Sequence, residues 1–148
     1  MPGAESDLRL AVIDASVVVR WVVPERGADE ALKLLSQSID WIAPRLMLSE
    51  VAGALRRKVT AGELTAGLAA QGLDFVLGVV ARGALRLHRD ETVIRSALAL
   101  AISHQHKVAD CLYLALAEDT GAGLATADLR LSALARTRRV PTVLISSA

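Results

Sequence analysis

Two aspartates of the 148-residue chain follow short apolar runs, at positions where a carboxylate can do chemistry. Asp14 comes directly after Leu8–Ile13 and precedes another apolar stretch, and Asp128 comes just after Gly123–Thr126. A carboxylate between two buried segments is costly unless it is paired or binds a metal ion. Asp14 and Asp128 are therefore the first candidates for a functional site.

Two further acids lie in apolar helical stretches rather than on charged faces. Glu50 lies within Leu46–Val59, beside apolar neighbours, and Asp110 opens the apolar run Cys111–Ala117. Each of the four acids also has an ordinary structural explanation. The two aspartates after apolar runs could cap helices, and the helix dipole would favour the other two acids near helix starts.

Five apolar runs of strand length alternate with longer stretches of helical periodicity. The strand candidates are Leu8–Ile13, Trp41–Ala43, Ala84–His88, Gly123–Thr126 and Thr142–Ile145. The helix candidates are a stretch from near Val17, a stretch around 31–35, Leu46–Val59, Thr65–Ala81, Asp90–Ser103, Val108–Thr120 and a short one after Asp128. This alternation predicts an α/β fold with a central, mostly parallel β-sheet flanked by helices on both faces. Ligands of such sheets bind beyond the carboxyl ends of the strands, which is where Asp14 and Asp128 stand.

Length and composition favour one domain, because 53% of the residues are hydrophobic and 22% are charged. We expect this domain to span residues 8–146 and residues 1–7 to form a flexible N-terminal arm. A lone cysteine, Cys111, has no partner for a disulfide, and no signal-peptide pattern or apolar run of about 18 residues is seen. A cytoplasmic location is therefore expected.

Four blocks that contain the acids resemble the blocks of the PIN-domain nucleases, and among them the VapC-type toxins of bacterial toxin–antitoxin pairs. The matching segments, in the family's order, are 12–25 (VIDASVVVRWVVPE), 48–51 (LSEV), 109–115 (ADCLYLA) and 124–128 (LATAD). No single block is specific, but four in order are fairly specific. The likeness extends from about residue 12 to about residue 145.

The resemblance implies a single PIN-like domain and assigns both catalysis and metal binding to four acids, Asp14, Glu50, Asp110 and Asp128. It makes the hydroxyls of Ser16 and Thr126 supporting groups that orient a carboxylate or a water. It also implies an endoribonuclease that leaves 5′-phosphate and 3′-hydroxyl ends and is the toxin of a type II pair. Such a toxin is held inactive by a cognate antitoxin protein and is commonly a homodimer, with no membrane partner.

Paired and clustered carboxylates suit this chemistry. Four of them in one cleft repel one another, and a divalent cation relieves the repulsion. All-oxygen ligands select hard ions, here Mg²⁺ or Mn²⁺. Such an ion can activate water, orient a scissile phosphate and neutralise charge on the leaving oxygen. We therefore expect in-line hydrolysis of a phosphodiester, and the family resemblance implies that the substrate is RNA.

The basic residues are consistent with a polyanionic substrate. When the four acids are set aside, 17 basic residues face 12 acidic ones, and 14 of the basic residues are Arg, which binds phosphate through paired donors. The candidate RNA-binding residues are Arg45, Arg56, Arg57 and Arg130, with Arg20, Arg136, Arg138 and Arg139 as further candidates. For any one of them, a solvated surface charge is the commoner role.

An antitoxin needs an apolar docking surface, and two segments offer one. One is the apolar face formed by Val17, Val18, Trp21 and Val22. The other is the glycine-rich helix Thr65–Ala81, which permits close approach of another element. Both could equally belong to the core or to a homodimer contact. For Trp21 we favour either of these two roles over antitoxin docking.

Three other interpretations are weaker. His104 and His106 are spaced like a metal-binding pair, but their surroundings indicate a surface turn between two helices. A phosphotransferase of the haloacid-dehalogenase type would need a second Asp at the position of Ser16. A catalytically silent PIN-like module that binds RNA or protein stays open, although the presence of all four acids counts against it.

Overall fold

The structure, a computed structural model, describes residues 8–146, so the expected N-terminal arm at 1–7 lies outside the described residues. Five strands are present: β1 (Leu10–Ile13), β2 (Asp40–Pro44), β3 (Leu85–His88), β4 (Gly123–Thr126) and β5 (Thr142–Leu144). Seven α-helices accompany them: α1 (Ala15–Val22), α2 (Ala28–Leu35), α3 (Leu46–Thr60), α4 (Ala66–Ala81), α5 (Ile94–His104), α6 (Val108–Thr120) and α7 (Leu129–Thr137). Each of the five strands predicted from the sequence is confirmed.

One helix begins later than its pattern predicts. The stretch expected to be helical from Asp90 contains a single 3-10 turn, Asp90–Thr92, followed by α5. Val93 separates the two, because its backbone (φ −125°, ψ 2°) lies outside the helical region. The prediction of one continuous helix over Asp90–Ser103 is therefore wrong at its first turn.

The five strands form one parallel sheet in the order β3-β2-β1-β4-β5. Three consecutive residues of β1, Ala11, Val12 and Ile13, are fully buried. Successive side chains of a strand point to opposite faces of a sheet, so both faces are covered by helices. The expected α/β class, with a central parallel sheet flanked by helices, is confirmed.

The strand order reverses beside β1, and this reversal creates the position of the site. The chain adds β2 and β3 on one side of β1 and then returns to add β4 and β5 on the other side. Connections therefore leave the carboxyl ends of β1 and β4 in opposite directions, which opens a crevice between them. Asp14 follows β1 at this crevice, and Thr126 is the last residue of β4.

The apolar face of α1 belongs to the core. Val17 and Val18 are fully buried, and the indole Nε1 of the buried Trp21 donates a 3.0 Å hydrogen bond to the carbonyl oxygen of Ala31. Gly72 of α4 lets α1 approach, because a Cβ there would lie 3.1 Å from the side chain of Val22. The core interpretation of this face is confirmed, so it is not an antitoxin-docking surface. α1 is one element that approaches α4, at Gly72, and antitoxin docking on the rest of that helix stays a prediction.

Several large apolar side chains remain exposed elsewhere. Ile94, Leu98 and Ile102 follow one another at four-residue spacing along α5, and Phe75 is exposed on α4. None of the helices within residues 8–146 combines the length and the apolar character needed to cross a membrane. The expected homodimer stays a prediction, for which these side chains supply apolar surface.

Candidate active site

A cleft of about 540 Å³ opens at the carboxyl ends of the central strands. Four elements deliver one acid each to its lining: Asp14 from the β1–α1 junction, Glu50 from the second turn of α3, Asp110 from the first turn of α6 and Asp128 from the start of α7. The amino-terminal ends of these helices carry partial positive charge, which favours ionised carboxylates nearby.

Asp14 is oriented by two hydroxyl groups. Its side chain is almost completely buried, at 6% exposure. Its Oδ2 accepts hydrogen bonds from Ser16 Oγ at 2.8 Å and from Thr126 Oγ1 at 2.7 Å. Although Asp14 stands at the first position before α1, the helix receives no side-chain capping bond from it. Its carboxylate thus contacts the end of the neighbouring strand β4 through Thr126.

The same two hydroxyls connect the site to the β4–α7 junction. Ser16 Oγ accepts a 3.0 Å hydrogen bond from the backbone N–H of Ala127, and Thr126 Oγ1 accepts one of 2.9 Å from the N–H of Asp128. Each hydroxyl therefore acts as donor to a carboxylate and as acceptor from the backbone. This arrangement fixes Asp14 relative to the start of α7.

Asp128 is a helix cap that also lines the cleft. Its Oδ1 accepts hydrogen bonds from the backbone N–H groups of Arg130 at 2.8 Å and Leu131 at 3.1 Å. The capping explanation considered for this residue is thus correct. The two roles are compatible, because both capping bonds use the same carboxylate oxygen.

Glu50 and Asp110 each have a side-chain partner that the sequence pattern did not reveal. The hydroxyl of Tyr113, a fully buried residue, donates a hydrogen bond to Glu50 Oε1. His106 Nε2 lies 3.1 Å from Asp110 Oδ2, and the His106 side chain is only 7% exposed. His106 does lie in the turn between α5 and α6, as expected, but the interpretation of its side chain as a surface group is wrong, whereas His104 is exposed as expected.

Spacing gives a partial signal for one of these partners. Although His106 precedes Asp110 by four residues, Lys107 between them has an extended backbone (φ −67°, ψ 138°) and α6 begins only at Val108, so the helical spacing rule does not apply to this pair. Tyr113 follows Asp110 by three residues and so lies on the same face of α6. A buried Tyr usually finds a partner for its hydroxyl, which was a second available signal.

Burial and mutual repulsion raise the pKa of three acids of the cleft, Asp14, Glu50 and Asp110. Desolvation raises the pKa of Asp14 above its ordinary value; the hydrogen bonds from Thr126 and Ser16 oppose the rise, and the charge of Asp110 adds to it. Ionisation of Asp14 is thus unfavourable when the cleft contains no cation.

The pKa values of Glu50 and Asp110 are raised for the same physical reasons. Desolvation raises the pKa of Glu50, the hydrogen bond from its tyrosine partner lowers it, and the charges of Asp14 and Asp110 raise it further. Desolvation and then the charge of Asp128 raise the pKa of Asp110, against the effect of its histidine partner. All four acids are thus linked electrostatically in one cluster, and a divalent cation would relieve their repulsion.

The donor set fits a hard divalent ion that keeps part of its water. Within residues 8–146, no three His, Cys, Asp or Glu side chains form a ready-made metal cage. Mg²⁺ usually binds proteins through one or two carboxylates and retains several waters, so it does not need such a cage. Four partly buried carboxyl groups lining one cleft supply the oxygen ligands that this ion prefers.

The basic lining of the cleft differs from the residues selected by type alone. Of the four principal RNA-binding candidates, only Arg57 lines the cleft; the others, Arg45, Arg56 and Arg130, are exposed outside it. Arg20, a further candidate, also lines it.

Lys58, which was not a candidate, lines the cleft and is held by acids. Its Nζ lies 2.6 Å from a carboxylate oxygen of Glu25 and 3.1 Å from one of Glu63. Arg20 donates to the carbonyl oxygens of Ser16 and Arg26. Among the three bases, Arg57 acts on the acids directly, because its charge lowers the pKa of Glu50.

The family model of the PIN domain matches residues 11–137, which is most of the chain. The chain belongs to the PIN-domain family. Ribonuclease VapC3 of Pyrobaculum aerophilum is 33% identical to this PIN domain over 121 residues, covering 82% of this chain and 91% of the relative. The resemblance to VapC-type PIN domains that the four sequence blocks indicate is thereby confirmed.

Solved structures show the same fold at lower identity. Mycobacterium tuberculosis VapC20, described as a toxin that cleaves the sarcin-ricin loop, aligns with a TM-score of 0.66 and 15% identity, over 83% of this chain and 93% of that chain. A toxin–antitoxin complex from Klebsiella pneumoniae aligns with a TM-score of 0.58 and 15% identity, over 80% of this chain and 86% of that chain.

Proposed function

We propose that this PIN domain is a Mg²⁺- or Mn²⁺-dependent endoribonuclease and the toxin of a type II toxin–antitoxin pair. The observation that carries the proposal is the delivery of four acids from four separate elements to one cleft at the strand-order reversal. The relationship to a VapC ribonuclease that matches most of this chain supports RNA as the substrate.

The four acids have complementary tasks in this proposal. Asp14, Glu50, Asp110 and Asp128 would hold the ion, which supplies water activation and charge neutralisation at the scissile phosphate when it is bound. Ser16 and Thr126 keep the Asp14 carboxylate in one orientation. Arg57, at the same cleft, offers paired donors to a phosphate of the RNA.

An antitoxin is the proposed regulatory partner. Its existence is supported by the relationship to ribonuclease VapC3 and by the fold shared with the toxin–antitoxin complex from Klebsiella pneumoniae. A cytoplasmic site of action is consistent with an RNA substrate and with Cys111, a single buried thiol.

Calorimetric titration with Mn²⁺, followed by incubation with a structured RNA, tests the metal site. Wild-type protein should bind Mn²⁺ and cleave the RNA, whereas Asp14→Asn should lose both abilities and stay folded. Asp74→Asn is a matched control, because Asp74 is an exposed helical acid outside the cleft. Its metal binding and cleavage should equal those of wild type.

Two outcomes would contradict the proposal. If Asp14→Asn cleaved RNA at the wild-type rate, Asp14 would have no part in the reaction. If the folded, antitoxin-free wild type bound RNA but neither Mn²⁺ nor Mg²⁺ and cleaved nothing, the chain would be the catalytically silent binding module.

A further inference from the structure

We infer that His106 and Tyr113 are positioning residues that hold the carboxylates of Asp110 and Glu50 in the orientation the ion requires. The inference rests on the proposed function, and neither residue would itself contact the ion. It starts from three residues on one side of α6 and of the turn before it. Asp110 is a proposed ligand of the ion, and His106 and Tyr113 each form a hydrogen bond with one of the acids.

His106 is held firmly enough to orient its neighbour. Gln105, with a left-handed backbone (φ 49°), ends α5, and the backbone N–H of His106 then donates a 3.1 Å hydrogen bond to the carbonyl oxygen of Ala101. The imidazole is buried against Asp110 and contacts Oδ2 at 3.1 Å. When Asp110 is ionised, as a metal ligand must be, its oxygens can only accept, so the imidazole donates through Nε2. This bond uses Oδ2 and leaves Oδ1 of Asp110 for the ion.

Tyr113 lies one helical turn after Asp110 on the same face of α6, and from there it orients Glu50. Its side chain is fully buried, and its hydroxyl donates to Glu50 Oε1 across a separation of 63 residues. A Phe ring would fill the same space, so the hydroxyl is the only part of the Tyr113 side chain that needs Glu50 as a hydrogen-bond partner. A buried hydroxyl is costly without a partner, which makes Glu50 necessary to Tyr113 as well.

Donors of this kind commonly matter to metal binding. A carboxylate that is free to rotate loses conformational entropy when it binds an ion, and a second hydrogen-bonding partner removes part of that cost in advance. Mutation of such outer partners typically costs 10–100-fold in metal affinity or activity. His106 and Tyr113 each use one oxygen of a different acid, so we expect each to contribute separately.

Calorimetric Mn²⁺ titration of three variants tests the inference. Tyr113→Phe removes a single oxygen atom, and His106→Ala removes the imidazole; each should weaken Mn²⁺ binding about tenfold. His106→Gln, which retains an N–H donor near the position of Nε2, should restore most of the loss. His104→Ala is the control, because His104 is exposed just before the same turn and does not line the cleft. The thermal midpoint verifies that each variant is folded.

Kinetics separate positioning from general damage. With RNA as substrate and Mn²⁺ limiting, the two donor-removing variants should lose kcat in proportion to their metal affinity, while RNA binding measured in EDTA stays at the wild-type level. Unchanged Mn²⁺ affinity in folded His106→Ala and Tyr113→Phe, with a wild type that binds Mn²⁺ and cleaves RNA, would overturn this inference alone. A wild type that binds no Mn²⁺ would overturn the inference together with the proposed function.

Discussion

Thr126 Oγ1 donates a 2.7 Å hydrogen bond to Asp14 Oδ2, although the two residues are 112 positions apart in the sequence. The threonine is fully buried and also accepts a 2.9 Å hydrogen bond from the backbone N–H of Asp128. One hydroxyl thus connects the carboxyl ends of β1 and β4 with the cap of α7. It couples the stability of the fold to the geometry of the site.

Replacing Thr126 tests this coupling. Thr126→Val keeps the shape of the side chain and removes both hydrogen bonds. Asp14 then loses one of its two hydroxyl donors, and the backbone N–H of Asp128 loses its acceptor. The free energy of unfolding should fall by about 1–3 kcal/mol, the usual cost of an unsatisfied buried polar group. Thr126→Ser retains the hydroxyl and should lose less. Equal stability of the Val variant and wild type in urea titrations would contradict the coupling.

The raised pKa of Asp14 predicts how the ion-free protein responds to pH. Because the pKa of Asp14 in the folded protein lies above its ordinary value of 3.8, the native state binds a proton more tightly than the unfolded state between these two values. Stability therefore falls as the pH rises through that window and stays lower above it. Below pH 3.8 the carboxyl group is protonated in both states and carries no penalty.

Asp14→Asn makes this penalty measurable, because the amide stays neutral at every pH while its oxygen can still accept the bonds from Ser16 and Thr126. In EDTA, the thermal midpoint of the variant relative to wild type should rise as the pH is raised from 4 to 8. Saturating Mg²⁺ should shrink or reverse the difference, since only the wild type retains this ligand. A difference that is independent of pH in EDTA would contradict the assignment of the buried charge to Asp14.

The fold and the acids of the site could be predicted from the sequence because both have local signals. Strands buried on both faces are continuous apolar runs, and Asp14 and Asp128 follow two of them directly. The partners of the acids lack a signal this direct. Tyr113 looks like any buried aromatic residue in an apolar helix, and its role depends on a contact with Glu50 that only tertiary packing creates.

The basic residues show that residue type alone is not enough. Arg56 and Arg57 are equal candidates by type, but Arg57 lies seven residues, two helical turns, after Glu50 and so shares its face of α3. Only Arg57 lines the cleft, as this spacing predicts. The apolar face of α1 is ambiguous in the sequence for another reason, because an apolar stripe fits a core as well as an interface.

The neighbouring residues Arg56 and Arg57 provide the sharpest test of how the cleft binds RNA. Arg57 lines the same cleft as the four acids, so we expect a phosphate bound beside these acids to lie within its reach. Each phosphate contact adds about 0.7 to the slope of log affinity against log salt for a single strand. Arg57→Gln should therefore flatten the slope by about that amount, measured with catalytically inactive Asp14→Asn as background. Arg56→Gln, one residue away and exposed outside the cleft, should leave the slope unchanged. Equal slopes for the two variants would mean that RNA does not enter the cleft along Arg57.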